Sequence, residues 1–441
     1  MDVDKKESQQ ASQSSQTSQS SQAAERYFPT LAIMSTAYIA VGVNAQGFKA
    51  MLPLVRDDFG IGRTEAGFYT TFFFLSATII AIFSGRLVDR FGPKAGLVFG
   101  TGLMGVLMVL HSAAPFFSMV LFLSFLAGVG FSIITPSINK GVLEMVPYEK
   151  RSVSIGITQS GAGIGGVLGA TLLPFLGETF GWRNAILVSA AIALLMSAAM
   201  AKFYNPKKLN QTKHSGENAN ASESQSSEKK NSFLADLRLL GENKALLTVI
   251  IMGFVFGFSI GNVTTHYVIF LNEDIGLSAT LAGFNLAIFQ FGGIVGKPSW
   301  GYINDQYLKS DRRTGLYILG VFVTAMMLFL GFVVARVYLP VFAILVVSFL
   351  LGLASLGLPG LFFTALGDVV SQKLMGTATG LALVFIRLGV VTGPPFIGAI
   401  ADFTGQYQLS WIVLGIIVFL LSTGFYIKSA SYLSQLAGRR V

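Results

Sequence analysis

Long apolar runs separated by short polar turns fill most of this chain between residues 28 and 428. Each run has roughly twenty residues or more, which is the length that an α-helix needs to cross a bilayer. Because lipid offers backbone amides no other partner, spanning runs are predicted to be helical. The pattern predicts twelve membrane-spanning helices, at residues 28–54, 65–88, 95–113, 115–139, 152–176, 182–202, 245–271, 279–303, 315–334, 338–365, 373–401 and 408–428.

Polar, low-complexity stretches divide the chain into two groups of six helices. Residues 1–26 are rich in Ser and Gln, which cannot bury a core, and we predict a disordered cytoplasmic tail. Residues 203–243 have a similar character and are predicted to form a flexible cytoplasmic linker. The predicted architecture is an all-α integral membrane protein with a six-helix bundle at 27–202, a second at 244–430 and a cytoplasmic tail at 431–441.

The composition excludes several classes of function. The chain is 52% hydrophobic and only 12% charged, so it is not a soluble domain. It has no cysteine and three histidines, which leaves no thiolate chemistry, no disulfide and no zinc-binding spacing. No nucleophile–base pair and no nucleotide-binding loop is found in the sequence. We therefore expect neither an enzyme nor a protein that carries a cofactor or a metal.

The positive charge follows the predicted loops. A net charge of +9 would suit a nucleic-acid partner, but the basic residues lie between spans, where the positive-inside rule accounts for them. The asymmetry places both termini in the cytoplasm. We expect a multi-pass protein of the inner (cytoplasmic) cell membrane, surrounded by lipid, monomeric and without a nucleic-acid partner.

A short charged motif lies between the second and third predicted spans. It contains Gly85, Asp89, Arg90, Gly92 and Lys94, and a degraded copy with Gly301, Asp305 and Arg312 occurs 216 positions later. The motif resembles the loop signature between helices 2 and 3 of the major facilitator superfamily. This resemblance implies two six-helix halves with the substrate site at the midplane between them. It also implies that these eight residues form a conformational gate.

Polar residues deep inside predicted spans are the candidates for substrate binding, because such residues are costly in hydrocarbon and tend to face a cavity. Arg387 is the sharpest candidate, since it lies about fourteen residues into the span at 373–401. The alternative is a structural arginine that bonds backbone carbonyls. Lys49 and Lys297 lie nearer span ends, where a lysine can also snorkel to the interface. The remaining candidates are neutral: Asn44, Gln46, Gln159, Asn262, His266 and Gln290.

Three segments resemble a narrower branch of the superfamily. The run Gly293–Gly301, with Lys297 before Pro-Ser, is similar to the eighth span of monocarboxylate transporters, where a cation binds the substrate carboxylate. Lys49 follows Gly42 by seven residues, as in the first span of that family. The segment from Gly380 to Trp411 is also similar, and a cation pair in spans 8 and 11 resembles oxalate:formate antiporters. The resemblance implies a small organic anion as the substrate.

The sequence does not decide whether transport is coupled to protons or to a second anion. Monocarboxylate transporters carry an acidic residue four positions before the span-8 cation, and Gly293 stands there in this chain. A lysine or His266 would have to carry the proton in a symporter, whereas anion exchange needs no such group. One alternative is an exporter of drugs or other hydrophobic compounds, although the glycines of span 5 lack the Gly-Pro pair of the exporter motif. A membrane sensor built on a carrier fold is the other.

Overall fold

A computed structural model describes residues 29–146, 150–204, 239–309, 311–371 and 374–437. The predicted tail at 1–26 and most of the predicted linker at 203–243 lie outside these residues. The N-terminal half contains α1 to α6, at Pro29–Ala50, Leu52–Phe59, Arg63–Ser112, Phe117–Met145, Arg151–Phe180 and Trp182–Phe203. The C-terminal half contains α7 to α13, at Lys244–Glu273, Ala279–Tyr307, Arg312–Phe329, Val341–Ser355, Leu358–Val369, Met375–Thr404 and Gln408–Ala437.

The described helices confirm the predicted all-α membrane fold. Eleven helical segments within these residues are long and apolar enough to cross a bilayer. The longest, α3, has 50 residues and is broken at Gly92, where the backbone turns to φ 84°. This φ is open to glycine at little cost. Division of α3 at Gly92 therefore yields the twelve predicted spans.

The helix ends differ from the predicted ones in several places, of which the first predicted span is one, because it is divided between α1 and α2. Helix α3 continues through the expected turn as far as Phe91, because Gly92 alone makes the reversal and Pro93 begins the next helix. The tenth span is interrupted between α10 and α11, where Pro359 stands in the first turn of α11. Helix α9 ends in a π-helical turn at Leu330–Val334. Helix α13 runs to Ala437, into the stretch expected to be a tail.

Side-chain caps fix the start of several helices in the C-terminal half. Asn243 accepts a hydrogen bond from the Leu246 amide at 3.0 Å, and Ser278 accepts one from the Leu281 amide at 3.2 Å. Asp311 caps α9 in the same way. These side chains satisfy amides that have no partner within the helix, and so they set where α7, α8 and α9 begin.

Candidate functional site

Two antiparallel helix pairs join the halves. Helix α3 lies against α12 and helix α5 lies against α8. A β-carbon built on Gly67 would lie 2.7 Å from the carbonyl carbon of Pro394, and one built on Gly163 would lie 3.1 Å from Ile294. These close approaches mark the surfaces on which the two halves meet. Residues seven apart share a helix face, so positions seven residues away on each helix belong to the same surfaces.

The halves are locked together at the end of the molecule opposite the Gly85–Lys94 motif, which we call the latch end. Here Asp402 of α12 accepts hydrogen bonds from the backbone amides of Arg63 and Thr64, at 2.8 and 2.9 Å, and from the Thr64 hydroxyl at 2.5 Å. Gly62 precedes α3 and has no side chain to cap it. The carboxylate from the other half therefore serves as the N-cap of α3, at the positive end of its dipole.

Further charged groups reinforce the latch end. Glu273, at the end of α7, pairs with Arg63 at 2.9 Å and also with Arg56. The Arg63 guanidinium lies 5.1 Å from the centre of the Tyr407 ring. Burial raises the pKa of Asp274, although the hydrogen bond from the Tyr407 amide and the nearby charge of Arg63 act in the opposite direction. The latch end thus joins the two halves by ion pairs and hydrogen bonds.

The halves separate toward the opposite end, which carries the Gly85–Lys94 motif and which we call the signature end. A β-carbon built on Gly85 or Gly380 would meet no atom within 4 Å, and the same is true of Gly156 and Gly301. Gly380 lies seven residues before Arg387, and Gly156 seven before Gly163, so they belong to the same helix faces that meet nearer the latch end. The described structure is therefore closed at the latch end and open at the signature end.

Lys49 lies between the halves near the point where they part. Its side chain is buried, with 4% of the residue exposed. The ammonium donates to the hydroxyl of Thr264 on α7 at 3.2 Å and lies 5.3 Å from the centre of the Phe74 ring on α3. None of the carboxylates described in the structure forms an ion pair with it.

Arg387 reaches the same turn of α3 from the opposite half. Its guanidinium donates to the carbonyl of Ala77 at 3.1 Å. Ala77 lies three residues after Phe74, so both cations lie beside one helical turn of α3, Lys49 at a side-chain ring and Arg387 at a backbone carbonyl. Arg387 is half-buried and, within the described residues, also forms no ion pair with a carboxylate. The hydrogen bond to Ala77 fits the structural alternative.

Lys297 and Gln159 lie in the open part of the interface, and both are exposed. Gln290 lies seven residues before Lys297 and approaches Gly166, which lies seven residues after Gln159. Lys297 and Gln159 are thus on the facing surfaces of α8 and α5, about 10 Å nearer the signature end than Gln290.

Gln46 and Gln290 come together at the closed part of the α5–α8 contact. A β-carbon built on Gly166 would lie 3.3 Å from Cγ of Gln46 and 3.5 Å from Cδ of Gln290. Both side chains therefore reach one point on α5, one from each half.

Three candidates lie inside a single half. Asn44 donates to the carbonyls of Ala40 and Ser189, and Asn262 donates to that of Phe258. His266 is fully buried, with its ring nitrogens 2.9 Å from the Tyr407 hydroxyl and 2.7 Å from the Pro394 carbonyl. The contacts of Asn44 and Asn262 stay within their own halves. Those of His266 hold α7 against Pro394 of α12 and against Tyr407, and they leave no ring nitrogen facing the interface.

The predicted gate residues form contacts within each half at the signature end. Asp89 pairs with Lys140 of α4 at 3.0 Å rather than with Arg90, whose guanidinium lies over Phe91. Arg312 lies 3.4 Å from Asp368 of α11, beside a cleft of about 150 Å³. Gly92 makes the turn itself. The remaining members of the predicted gate lie on the same end, namely Gly85, Lys94, Gly301 and Asp305.

The family model described as Major Facilitator Superfamily matches residues 34–270 and 249–439. The chain belongs to the major facilitator superfamily. This superfamily comprises transporters and not enzymes, which agrees with the function class predicted from the sequence. The fold agrees as well: a bacterial homologue of the human lysosomal transporter Spinster, solved in an inward-facing and unoccupied conformation, matches with a TM-score of 0.73 at 15% identity, over 92% of this chain and 97% of that one.

Curated relatives of this major facilitator protein include transporters of organic anions. The hexuronate transporter of Bacillus subtilis (strain 168) is 22% identical over 394 residues, which cover 88% of this chain and 91% of the relative. Monocarboxylate transporter 2 of Homo sapiens is 25% identical over 436 residues, which cover 92% and 87%. The second match agrees with the resemblance to the monocarboxylate branch found in the sequence.

The residues of the latch end could not be recognised from the sequence. Arg63, Glu273 and Asp402 stand at the ends of predicted spans, where charged residues are common in any membrane protein. The one available signal was that opposite charges from both halves occur in loops assigned to the same side of the membrane. That signal does not say which charges meet, because Arg63 and Asp402 lie 339 residues apart.

Proposed function

We propose that this protein is a secondary active transporter that carries a small organic anion by alternating access. The observation that carries the proposal is the placement of Lys49 and Arg387 on one turn of α3 with no carboxylate partner among the described residues. Unpaired cations at membrane depth are costly unless a counter-charge is supplied. An anionic substrate that enters from the open end would supply it.

The names of the relatives support the same substrate class. Hexuronate and monocarboxylates share one negatively charged carboxylate on a small organic molecule. A guanidinium and an ammonium are both suited to bind such a group through charge-assisted hydrogen bonds. Lys297, on the exposed face of α8, would attract the anion toward this region before it reaches the closed part of the interface.

We further propose the orientation in the cell membrane. The signature end carries basic residues, and the positive-inside rule assigns that end to the cytoplasm; they include Arg86, Arg90, Lys94, Lys140 and Lys309. Both termini are then cytoplasmic, and the described state is open to the cytoplasm. The chain is proposed to act as a monomer.

The source of energy is proposed to be either proton symport or anion exchange. His266 is held by two hydrogen bonds inside the C-terminal half, so a proton taken up with the substrate would have to reside on a lysine at the interface. Anion exchange requires no proton carrier, because the substrate itself neutralises the cations. Symport requires a proton gradient, whereas exchange requires a second anion in the opposite compartment.

The test is uptake of labelled glucuronate, oxalate, formate, lactate and pyruvate into proteoliposomes, either empty with an inward proton gradient or preloaded with the same anion. Uptake into protein-free liposomes is subtracted, because small protonated acids cross lipid without a carrier. Uptake driven by the gradient indicates symport, and uptake only into preloaded vesicles indicates exchange. Arg387→Ala is expected to lower uptake by more than about 30-fold, because a charged partner of the substrate is lost from a partly buried site.

The matched control is Arg336→Ala, which removes an exposed arginine of the C-terminal half. It should leave uptake unchanged. Full uptake by Arg387→Ala would favour the structural alternative for this arginine. Absence of uptake for all five anions in both formats would remove the organic-anion proposal.

A further inference from the structure

Two amide side chains occupy the closed part of the interface without a hydrogen-bond partner. The Oε1 atom of Gln46 and the Nε2 atom of Gln290 are both buried and unbonded within the described structure. Gln290 as a whole is only 8% exposed. Buried polar groups are nearly always hydrogen-bonded in folded proteins. The two atoms are an acceptor and a donor beside the same glycine, yet they do not bond each other in the described structure, and this requires an explanation.

The position of the two amides relative to the cations provides an explanation for the two unpaired atoms. Gln46 precedes Lys49 by three residues on α1, and Gln290 precedes Lys297 by seven residues on α8, so each amide shares a helix face with a cation. Both approach Gly166, at the point where α1, α5 and α8 meet. Gln46 also lies one helical turn nearer to the open end than Lys49. A ligand that is held by Lys49 and extends one helical turn toward the open end would reach Gln46.

The chemistry of the amides differs from that of the cations. A carboxylate only accepts hydrogen bonds, and the ammonium and guanidinium groups are suited to it. The Gln46 oxygen requires a donor, and the Gln290 nitrogen requires an acceptor. A hydroxyl group both donates and accepts, so it can satisfy both atoms. The hydrocarbon part of an unsubstituted carboxylate can satisfy neither.

We propose that Gln46 and Gln290 bind a hydroxyl group of the substrate, and that the transported anion is a hydroxylated carboxylate, such as a 2-hydroxy acid or a sugar acid. This inference rests on the proposed function of organic-anion transport. Unsubstituted monocarboxylates are discriminated against because they leave both amides unpaired when they fill the site.

The test compares acids that differ in hydroxyl content alone. Lactate is paired with propionate, and glucuronate with tetrahydropyran-2-carboxylate, because each pair has the same charge and the same skeleton. Protonated propionate crosses lipid without a carrier, so affinities are measured by isothermal titration calorimetry on the purified protein in detergent. The wild type is expected to bind each hydroxylated acid at least about tenfold more tightly than its partner, as one or more hydrogen bonds would give.

Gln46→Leu and Gln290→Leu remove each amide at nearly constant volume. Either change is expected to bring the affinity ratio within each pair close to one, chiefly by weakening the hydroxylated acid. Gln306→Leu, at an exposed position on α8, is the matched control and should keep the wild-type ratio. Thermal unfolding in the same detergent identifies any variant that is misfolded, and the other glutamine then decides the question.

The outcomes separate the inference from the proposed function. Equal affinity for both members of each pair in the wild type, together with anion uptake in proteoliposomes, would overturn the hydroxyl site and leave the transporter proposal standing. A uniform loss of affinity for all acids in both leucine variants would show a structural role and would also overturn it. Failure of the wild type to bind or transport any of the acids would remove both proposals.

Discussion

The two ends of this molecule use the same four helices in opposite ways. At the latch end, α3 and α12 approach so closely that a β-carbon on Gly67 would lie 2.8 Å from the Pro394 carbonyl oxygen, and Asp402 caps α3 across the interface. At the signature end, a β-carbon on Gly380, which lies on the same face of α12, would meet no atom within 4 Å. Closure at one end together with separation at the other is what a carrier needs in order to expose its site to one side at a time.

The register of the closed end also predicts which residues meet when the signature end closes. In the closed part of the interface Gly163 faces Ile294 and Gly166 faces Gln290. Continuation of this antiparallel register by seven residues places Gly156 opposite Gly301 and Gln159 opposite Lys297. On α3 and α12, continuation of the register by seven residues places Gly380 against the turn of α3 at residues 81–85. We expect these positions to meet when the latch end opens.

Replacement of a glycine by valine should shift the equilibrium between the two states in opposite directions at the two ends. Gly67→Val inserts side-chain atoms against the Pro394 backbone and should disfavour the described state by about 1–3 kcal/mol, a shift of roughly 5- to 150-fold. Gly380→Val meets open space in this state and should obstruct closure of the signature end instead. Both variants should lose most transport, for opposite reasons.

A single introduced cysteine reports which state is present, because the chain has no native cysteine. Gln159→Cys, at an exposed position of the signature end, should react with a maleimide more slowly in the Gly67→Val background. It should react as fast as in the wild-type background, or faster, when combined with Gly380→Val. Equal labelling rates in both backgrounds would contradict the proposed difference between the two ends.

Much of the fold was predictable because it depends on local patterns. Span length is a property of each apolar run, and the charged motif at Gly85–Lys94 marks the signature end on its own. The helix ends were less predictable. The sequence could not show that Gly92 alone would make the turn, because the choice between one residue and a longer loop depends on how the flanking helices pack.

The candidate site was predictable in part, because only some of its features depend on the local sequence. Arg387 stood out because a cation deep in a span is costly wherever it lies. Lys49 was also found, but not its contact with Thr264, which lies 215 residues away in the other half. Gln46 and Gln290 were two among several neutral candidates. Their approach to Gly166 follows only from the docking of two halves.

A pair of cysteines tests the register at the signature end. Gly156→Cys together with Gly301→Cys should form a disulfide only in the state in which that end is closed, since the two Cα atoms must come within about 7 Å. Oxidation during transport should trap the protein and block uptake, and reduction should restore it. Gly156→Cys with Gly405→Cys is the control pair, because Gly405 lies at the latch end of α12. Normal transport with no crosslink under turnover would contradict the register.

The smallest effect is expected from the cap that one half provides to the other. Asp402→Asn keeps the shape of the side chain and removes the charge that lies at the N-terminus of α3, where such a charge contributes about 0.3–1 kcal/mol. It also replaces one accepting oxygen by an NH2 group, and the hydrogen bond lost costs about 0.5–1.5 kcal/mol. The latch-closed state should become less populated relative to the other state by roughly 4- to 70-fold. Pulsed electron paramagnetic resonance between spin labels at Phe180→Cys and Phe403→Cys, which lie on opposite halves, would measure that ratio. Asp58→Asn is the matched control, since Asp58 pairs with Arg183 inside the N-terminal half. If both substitutions changed the ratio equally, the effect would arise from surface charge in general and not from the cap across the interface.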